Sequence, residues 1–309
     1  MPDAPAAPPL RLSLTELQRR IERFAGEFLK GKSPETVGTY RRALHEFERW
    51  FAAQRGRFLF RPEDVEAYKA YLMEERKLSQ VSVSTYLTAL RRLCQYLADT
   101  GELPENPARS VKGNRRPDSH TRGVLTEDEI ARLLDAADTT TLLGLRDRAL
   151  AALMLYAGLA EIELVRADRE DLDQTLLGWF LRVQGKGHTV KDQQVPLDPP
   201  ALEPLLAYLN ARGRVRPEEP LFTGHGHRAD GERLNTRSVR TRINTLLQAA
   251  GLKRPGITPH SLTHTAALIW LNDGMDLEEV RRRMRHGTLD TTMIYFRKQG
   301  LLKRKAEAA

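Results

Sequence analysis

Cysteine is almost absent. Cys94 is the only one in 309 residues, which excludes an internal disulfide and suits a reducing compartment. It falls on an apolar helical stripe and reads as core filler rather than a reactive thiol. Long apolar runs are missing too: stretches such as Ala149 to Ala160 are too short to cross a bilayer, so no membrane partner is expected. Met1 to Leu10 is rich in Pro and Ala, without the basic start and long apolar stretch of a secretory signal. Residues 1–12 therefore read as a flexible tail, and a cytoplasmic location is expected. Acidic residues are in deficit, 41 against 49 Lys+Arg, leaving a net charge of +8. The excess lies in the first 116 residues, which hold 21 basic and 15 acidic side chains. Such an imbalance favours a polyanionic partner. With 40% apolar and 29% charged residues, the composition is that of a soluble globular chain long enough for two domains.

Residues 13–101 read as a helical domain. Leu14, Leu17, Ile21, Phe24 and Phe28 recur at helical spacing behind a Ser13/Glu16 capping box. A second helix follows Ser33-Pro34, with Val37, Tyr40, Leu44, Phe47 and Phe51 on one face. A third spans about Pro62 to Arg76, and a fourth runs from Ser79 towards Gly101. The second and fourth are related: Ser33, Val37, Thr39, Tyr40, Ala43 and Leu44 recur as Ser79, Val83, Thr85, Tyr86, Ala89 and Leu90. A constant offset predicts two similar helix pairs in a four-helix unit. Both copies carry paired arginines off the apolar stripe, Arg41-Arg42 and Arg91-Arg92. Any one of them suits a solvated face, but together they form two basic helices able to meet phosphates and a major groove.

From 102 to 124 prolines and glycines break the helical pattern, and Lys112, Arg115 and Arg116 make the stretch basic. It reads as a linker crossing a nucleic-acid backbone. Residues 125–309 are mixed. Thr126 and Glu129 cap a helix, another runs from about Leu145 to Ala157, and Leu177, Trp179, Leu181 and Val183 alternate as a strand. The chain turns at Gly185-Lys186-Gly187 and returns through Val190 to Leu197 as a hairpin. This is not a phosphate-binding P-loop, since the upstream glycine spacing and a following Ser/Thr are missing. Helices follow from about Pro200, from Asn235 to Ala250, from Pro259 to Asn272 and from Asp276 to Arg285, with a last short one holding Tyr295. Arg237, Arg240 and Arg242 look like phosphate contacts. His225 and His227, in a Gly-rich loop, are expected to be solvated.

Four ordered segments resemble the tyrosine recombinase (phage-integrase) family, nearest its Xer-like bacterial members. Tyr156-Ala157-Gly158-Leu159-Ala160-Glu161-Ile162-Glu163-Leu164 matches its Gly-Leu-Arg-x-x-Glu-Leu box. Gly185-Lys186-Gly187 with Val195-Pro196-Leu197 matches its hairpin lysine. Thr258-Pro259-His260-Ser261-Leu262-Thr263-His264 matches its His-x-Leu-Arg-His box. Met284-Arg285-His286 and Thr291-Thr292-Met293-Ile294-Tyr295 match its Leu-Gly-His and tyrosine box. The resemblance covers almost the whole chain. It implies a mainly α fold with a small β-hairpin or sheet: a four-helix core-binding N-domain followed by a mixed α+β catalytic domain.

The resemblance also implies the chemistry. The family's tyrosine attacks a DNA phosphate, forms a 3′-phosphotyrosyl link and releases a 5′-hydroxyl without metal or nucleotide, so no cofactor and no metal are expected. A phenol with a pKa near 10 needs help to attack at neutral pH. The charged transition state needs fixed donors, which two guanidinium forks supply. Carried over by position, Tyr295 is the nucleophile, Lys186 the hairpin lysine, and His260 and His286 the histidines. The two arginine positions are Ala160 and Thr263. Ala160 offers no donor and Thr263 one hydroxyl, so strand transfer is expected to be impaired or lost. Arg285, where the family has glycine, is a candidate substitute guanidinium. His260 and His264 stand one helical turn apart, a spacing known in metal sites, but no third ligand accompanies them; His264 reads as structural, and Glu163 as orienting a basic neighbour. The expected partners are double-stranded DNA and, on it, further copies of the chain or a partner recombinase, with the protein associated with the nucleoid. Two readings remain: a DNA-binding member with an accessory or architectural role, and an active recombinase with a rearranged phosphate site. A third, an all-helical protein-interaction module, has the four ordered boxes against it.

Overall fold

The internal repeat in the first third of the sequence becomes two matching helices. The computed structural model describes residues 10–112, 123–185, 188–225 and 230–307, in two units, Met1–Asp118 and Ser119–Ala309. In the first unit, helices α1 (Leu14–Phe28), α2 (Pro34–Ala53), α3 (Pro62–Glu74) and α4 (Gln80–Asp99) follow one another. The repeat-related α2 and α4 are each 20 residues long. Their caps also repeat: Ser33 Oγ accepts from Thr36 N at 3.3 Å, and Ser79 Oγ from Ser82 N at 3.2 Å. These caps satisfy amides that have no partner within a helix. The apolar stripes close over an aromatic core in which Phe24, Phe47, Phe58 and Tyr68 are fully buried. The Phe47 and Tyr68 rings meet edge-on, centroids 5.1 Å apart, a favoured aromatic geometry.

Not all of the expected linker stands apart from this core. Leu103, Ala108 and Val111 are buried in it. Arg91 fastens the segment, donating to the carbonyls of Ala108 at 3.1 Å and Val111 at 3.0 Å. The Asn106 side chain completes the tie, donating to Arg91 O and accepting from Ala108 N, both at 3.0 Å. The prolines and glycine hid this packing, because scattered apolar residues in an irregular segment leave no period to detect. Residues 113–122, with Arg115 and Arg116, lie outside the described residues.

The second unit is mainly helical with one small antiparallel sheet. Helices α5 (Glu127–Asp135), α6 (Leu142–Tyr156) and α7 (Glu161–Arg166) lead through a single 3-10 turn (Arg169–Asp171) to β1 (Leu172–Thr175), β2 (Gly178–Val183) and β3 (Gln193–Pro196). Then come α8 (Pro199–Arg212), α9 (Thr236–Ala249), α10 (Pro259–Asn272), α11 (Leu277–Arg283) and α12 (Leu289–Glu307). The sheet order is β1-β2-β3, one strand more than the expected hairpin. The extra strand, Leu-Asp-Gln-Thr, is too short and polar to announce itself. It is fixed by pairing that sets Leu172 opposite Leu181 and Leu181 opposite Val195; all three are buried. The last helix is 19 residues long, not short, because the residues after Tyr295 are mostly strong helix formers. Helices α6 and α10 are buried along most of their length and form the spine of this unit.

Arg91→Ala strands two carbonyls of a packed segment. We expect it to destabilise the first unit by about 1–3 kcal/mol and to open residues 103–112 to limited proteolysis. An unchanged cleavage pattern would contradict the tie.

Candidate active site

The site is assembled from three segments around α10. The first is the turn into α7. Gly158 there has φ +60°, and a Cβ on it would fall 2.7 Å from Trp270 Cη2 and 3.2 Å from Met284 Sδ. Only glycine lets the backbone pass so close to α10. Ala160 is the N-cap of α7 and offers no side-chain cap. Glu163 reaches back instead, and its Oε2 accepts from Ala160 N at 2.7 Å.

The second segment is the turn after α11. Arg285, at φ +56°, sends its side chain inward. Its Nε donates to Glu163 Oε1 at 2.6 Å and its Nη2 to Glu163 Oε2 at 2.8 Å. Nη2 also donates to Gly158 O at 2.7 Å, and Nη1 to Arg283 O. The Arg285 and Glu163 side chains are only 8% and 5% exposed, so a buried carboxylate is paired with a bidentate fork. Next in the chain, His286 Nδ1 lies 2.9 Å from Thr292 Oγ1, and its backbone carbonyl accepts from Arg281 Nη1 at 2.7 Å. Burial, then the Arg285 and Arg281 cations and His260, lower the His286 pKa to about 4. This imidazole is neutral at physiological pH.

The third segment is α12, which carries Tyr295. The Tyr295 side chain is buried. Its ring is parallel to that of His286, centroids 5.9 Å apart, and lies 5.1 Å from the ring of His264. His264 meets His260 edge-on at 4.6 Å. From α10, Thr263 Oγ1 donates to Leu159 O at 3.4 Å, which brings position 263 against the residue preceding Ala160. The helix is docked at its far end by Gln299 Nε2 donating to Asn272 Oδ1 at 2.9 Å.

The structure thus gathers Tyr295, His260, His286, Ala160, Thr263 and Arg285, from segments far apart in sequence. Lys186 lies outside the described residues. Further along the same connection, Lys191 Nζ donates to Asp168 Oδ2 at 2.6 Å and to Asp171 Oδ2, tying the hairpin down. Among the described residues no group of His, Cys, Asp or Glu is arranged to hold a metal ion, and no helix is long and apolar enough to cross a membrane. His225, expected to be solvated, is instead half-buried, its Nε2 3.0 Å from the Tyr208 hydroxyl, and burial lowers its pKa. His227 lies outside the described residues. Thr292, Glu163 and Arg281 join the site as supports. Thr292 was legible in principle, since it stands three residues before Tyr295 on one helical face.

The basic residues fall into two groups. Arg41, Arg42, Arg92, Lys112 and Arg237 are exposed. Arg91 is committed to the carbonyls of Ala108 and Val111. Arg240 is exposed as well, though its Nε donates to Glu161 at 3.2 Å. Arg242 Nε donates to buried Asp147 at 2.7 Å, and Asp147 also accepts from buried Arg146. Arg242 thereby neutralises a carboxylate in the core rather than standing free in solvent.

Comparison with known proteins agrees with this architecture. Residues 123–300 match the phage integrase family, and residues 19–101 the phage integrase N-terminal SAM-like domain. Tyrosine recombinase XerC of Myxococcus xanthus is 31% identical over 292 residues, covering 91% of this chain and 94% of that protein. Tyrosine recombinase XerD of Listeria innocua serovar 6a is 31% identical over 276 residues, covering 86% and 89%. In fold, the chain resembles the XerH site-specific recombinase bound to palindromic difH substrate in a post-cleavage complex, with a TM-score of 0.73, 17% identity and coverage of 96% and 84%. It also resembles a lambda integrase dimer bound to a COC′ core site, with a TM-score of 0.70, 15% identity and coverage of 91% and 96%. The chain belongs to the phage integrase family and is a Xer-like tyrosine recombinase by descent.

Proposed function

We propose that this protein binds double-stranded DNA through both of its units and acts at recombination sites with impaired strand transfer, in an accessory or architectural role. On this reading domains 13–101 and 125–309 and the basic stretch 102–124 between them each contribute contacts to the duplex. Of the residues singled out in the sequence, Arg41, Arg42, Arg92, Lys112, Arg237 and Arg240 are exposed and available to phosphates; Arg115 and Arg116 add to them by sequence. Similar proteins have been seen as a lambda integrase dimer on a core site and a lambda integrase tetramer on a Holliday junction. Assembly of this chain on DNA, with itself or with a partner recombinase, follows from that likeness. On this reading the protein acts on chromosomal DNA in the cytoplasm, at the nucleoid.

The observation that carries the reading is the pairing of positions 160 and 263. Thr263 is hydrogen-bonded to the residue preceding Ala160, so the two positions that would clamp one phosphate stand together, and neither holds a guanidinium. In-line attack by Tyr295 would form a bond from Oη to phosphorus and break the bond from phosphorus to the 5′ oxygen. Lys186 is the proton donor to that leaving oxygen, the phenolic proton passes to a neighbouring imidazole, and His286, which is neutral, and His260 shape the surroundings of the phenol. Negative charge growing on the non-bridging oxygens would then meet one hydroxyl and backbone dipoles. Each missing preorganised donor costs about 10²–10³ in rate. The second reading, an active recombinase with a rearranged phosphate site, is favoured by one fact: the Arg285 guanidinium lies on Glu163, whose carboxylate also holds Ala160 N.

Two measurements test the proposal. On a nicked suicide duplex, covalent protein–DNA product should form at least ~10²-fold more slowly than with a recombinase holding both arginines. Efficient trapping that Tyr295→Phe abolishes would establish the second reading instead. Duplex affinity should fall steeply with salt, by about 10³-fold or more between 50 and 200 mM for six or more phosphate contacts. Arg41→Gln, Arg92→Gln and Arg237→Gln should each reduce the slope of the logarithmic plot by about 1. Binding indifferent to salt would remove the DNA-binding reading altogether.

A further inference from the structure

We propose that Arg285 has exchanged places with position 160: its guanidinium, arriving from the turn between α11 and α12, holds Glu163 and the 158–160 backbone where an arginine at 160 would stand. Arg285 is then the positioning residue of this site. The inference rests on the reading of position 160 given above. Two observations support it. First, Arg285 adopts φ +56°, a left-handed conformation that costs a residue with a side chain of this kind and persists only where the surroundings enforce it. Here the enforcement is visible: Arg285 donates to both oxygens of Glu163, to Gly158 O and to Arg283 O. Second, Glu163 has no room for another guanidinium. Its two oxygens already receive Arg285 and the Ala160 amide, and the pair is nearly out of solvent. A second cation three residues from Glu163 on the same helix start would compete for one buried countercharge.

One guanidinium therefore remains beside the site as the structural partner of Glu163, while positions 160 and 263 themselves still lack one. Replacing Ala160 by arginine alone introduces a surplus cation, whereas moving the cation from 285 to 160 conserves charge and contacts.

The test uses the full chain without DNA, so its failure is distinct from any result of the trapping assay. Thermal melting is compared for wild type, Arg285→Gly, Ala160→Arg and the combined variant. Arg285→Gly should melt at least about 5 °C lower, because Glu163 loses its partner. Ala160→Arg alone should also melt lower, and the combined variant should return to within about 2 °C of wild type, a strong positive coupling. A spectroscopic readout accompanies this. The His286 imidazole faces Arg281 and Arg285, His260 from α10 and Tyr295 from α12. By NMR its titration should rise above about 4 in Arg285→Gly, since one cation disfavouring the imidazolium is gone, and fall again in the combined variant. If Arg285→Gly does not fold, a folded combined variant supports the exchange and an unfolded one overturns it. Losses in the combined variant equal to the sum of the single losses, or an Arg285→Gly protein as stable as wild type, likewise overturn it.

Discussion

A buried carboxylate is the constraint on which the site depends. Glu163 is almost removed from water, and an unpaired charge there would cost several kcal/mol. It is tolerated because donors converge on it from two directions: the Ala160 amide at the start of α7 and the Arg285 fork from the turn after α11. That convergence fixes where α7 begins, seals the 158–160 turn against α10, and sets the backbone of the next residue, His286. The geometry of the histidine and tyrosine rings is thus downstream of one ion pair.

The scaffold and the chemistry of this site separate cleanly. Packing is complete: the Gly158 turn fits against Trp270, Tyr295 is enclosed by His264 and His286, and Thr263 is held at Leu159. On the proposed reading, what differs from a two-arginine site is donor strength. The threonine at position 263 keeps a hydrogen bond, to Leu159 O, yet carries no charge. Loss of the charged donor changes transition-state stabilisation far more than it changes stability of the fold. Neutral His286 is consistent with such a division, since its burial beside two arginines favours ring packing over carrying a charge.

Much of this was legible in the sequence, and what was not has physical causes. The repeat of α2 in α4, the capping residues Ser13, Ser33, Ser79 and Thr126, and the bounds of α10 came directly from periodicity and cap chemistry. Three of the four boxes hold residues that the structure brings together around Tyr295; the fourth, with Lys186, lies outside the described residues. Strand β1 and helix α7 were missed, being four and six residues long and stabilised by neighbours rather than by their own pattern. The length of α12 was missed because its second half lacks an apolar stripe. Charge state was the least visible property. Arg41 and Arg91 look alike on paired repeats, yet Arg41 is exposed while Arg91 is folded onto two carbonyls. Arg242 looks like its neighbour Arg237 until Asp147, 95 positions away in the chain, claims it. Such distant partners leave no local signature.

The backbone entering the second unit is pinned where it first meets α10. Leu125 N donates to Thr265 Oγ1 at 3.0 Å, and Gly123 N donates to Gly256 O at 2.8 Å. Thr265 is the residue after His264, on a helix whose own start carries His260. The start of this unit is therefore fastened to the histidine helix itself: the hydroxyl beside His264 holds a backbone amide that lies 140 positions earlier in the chain.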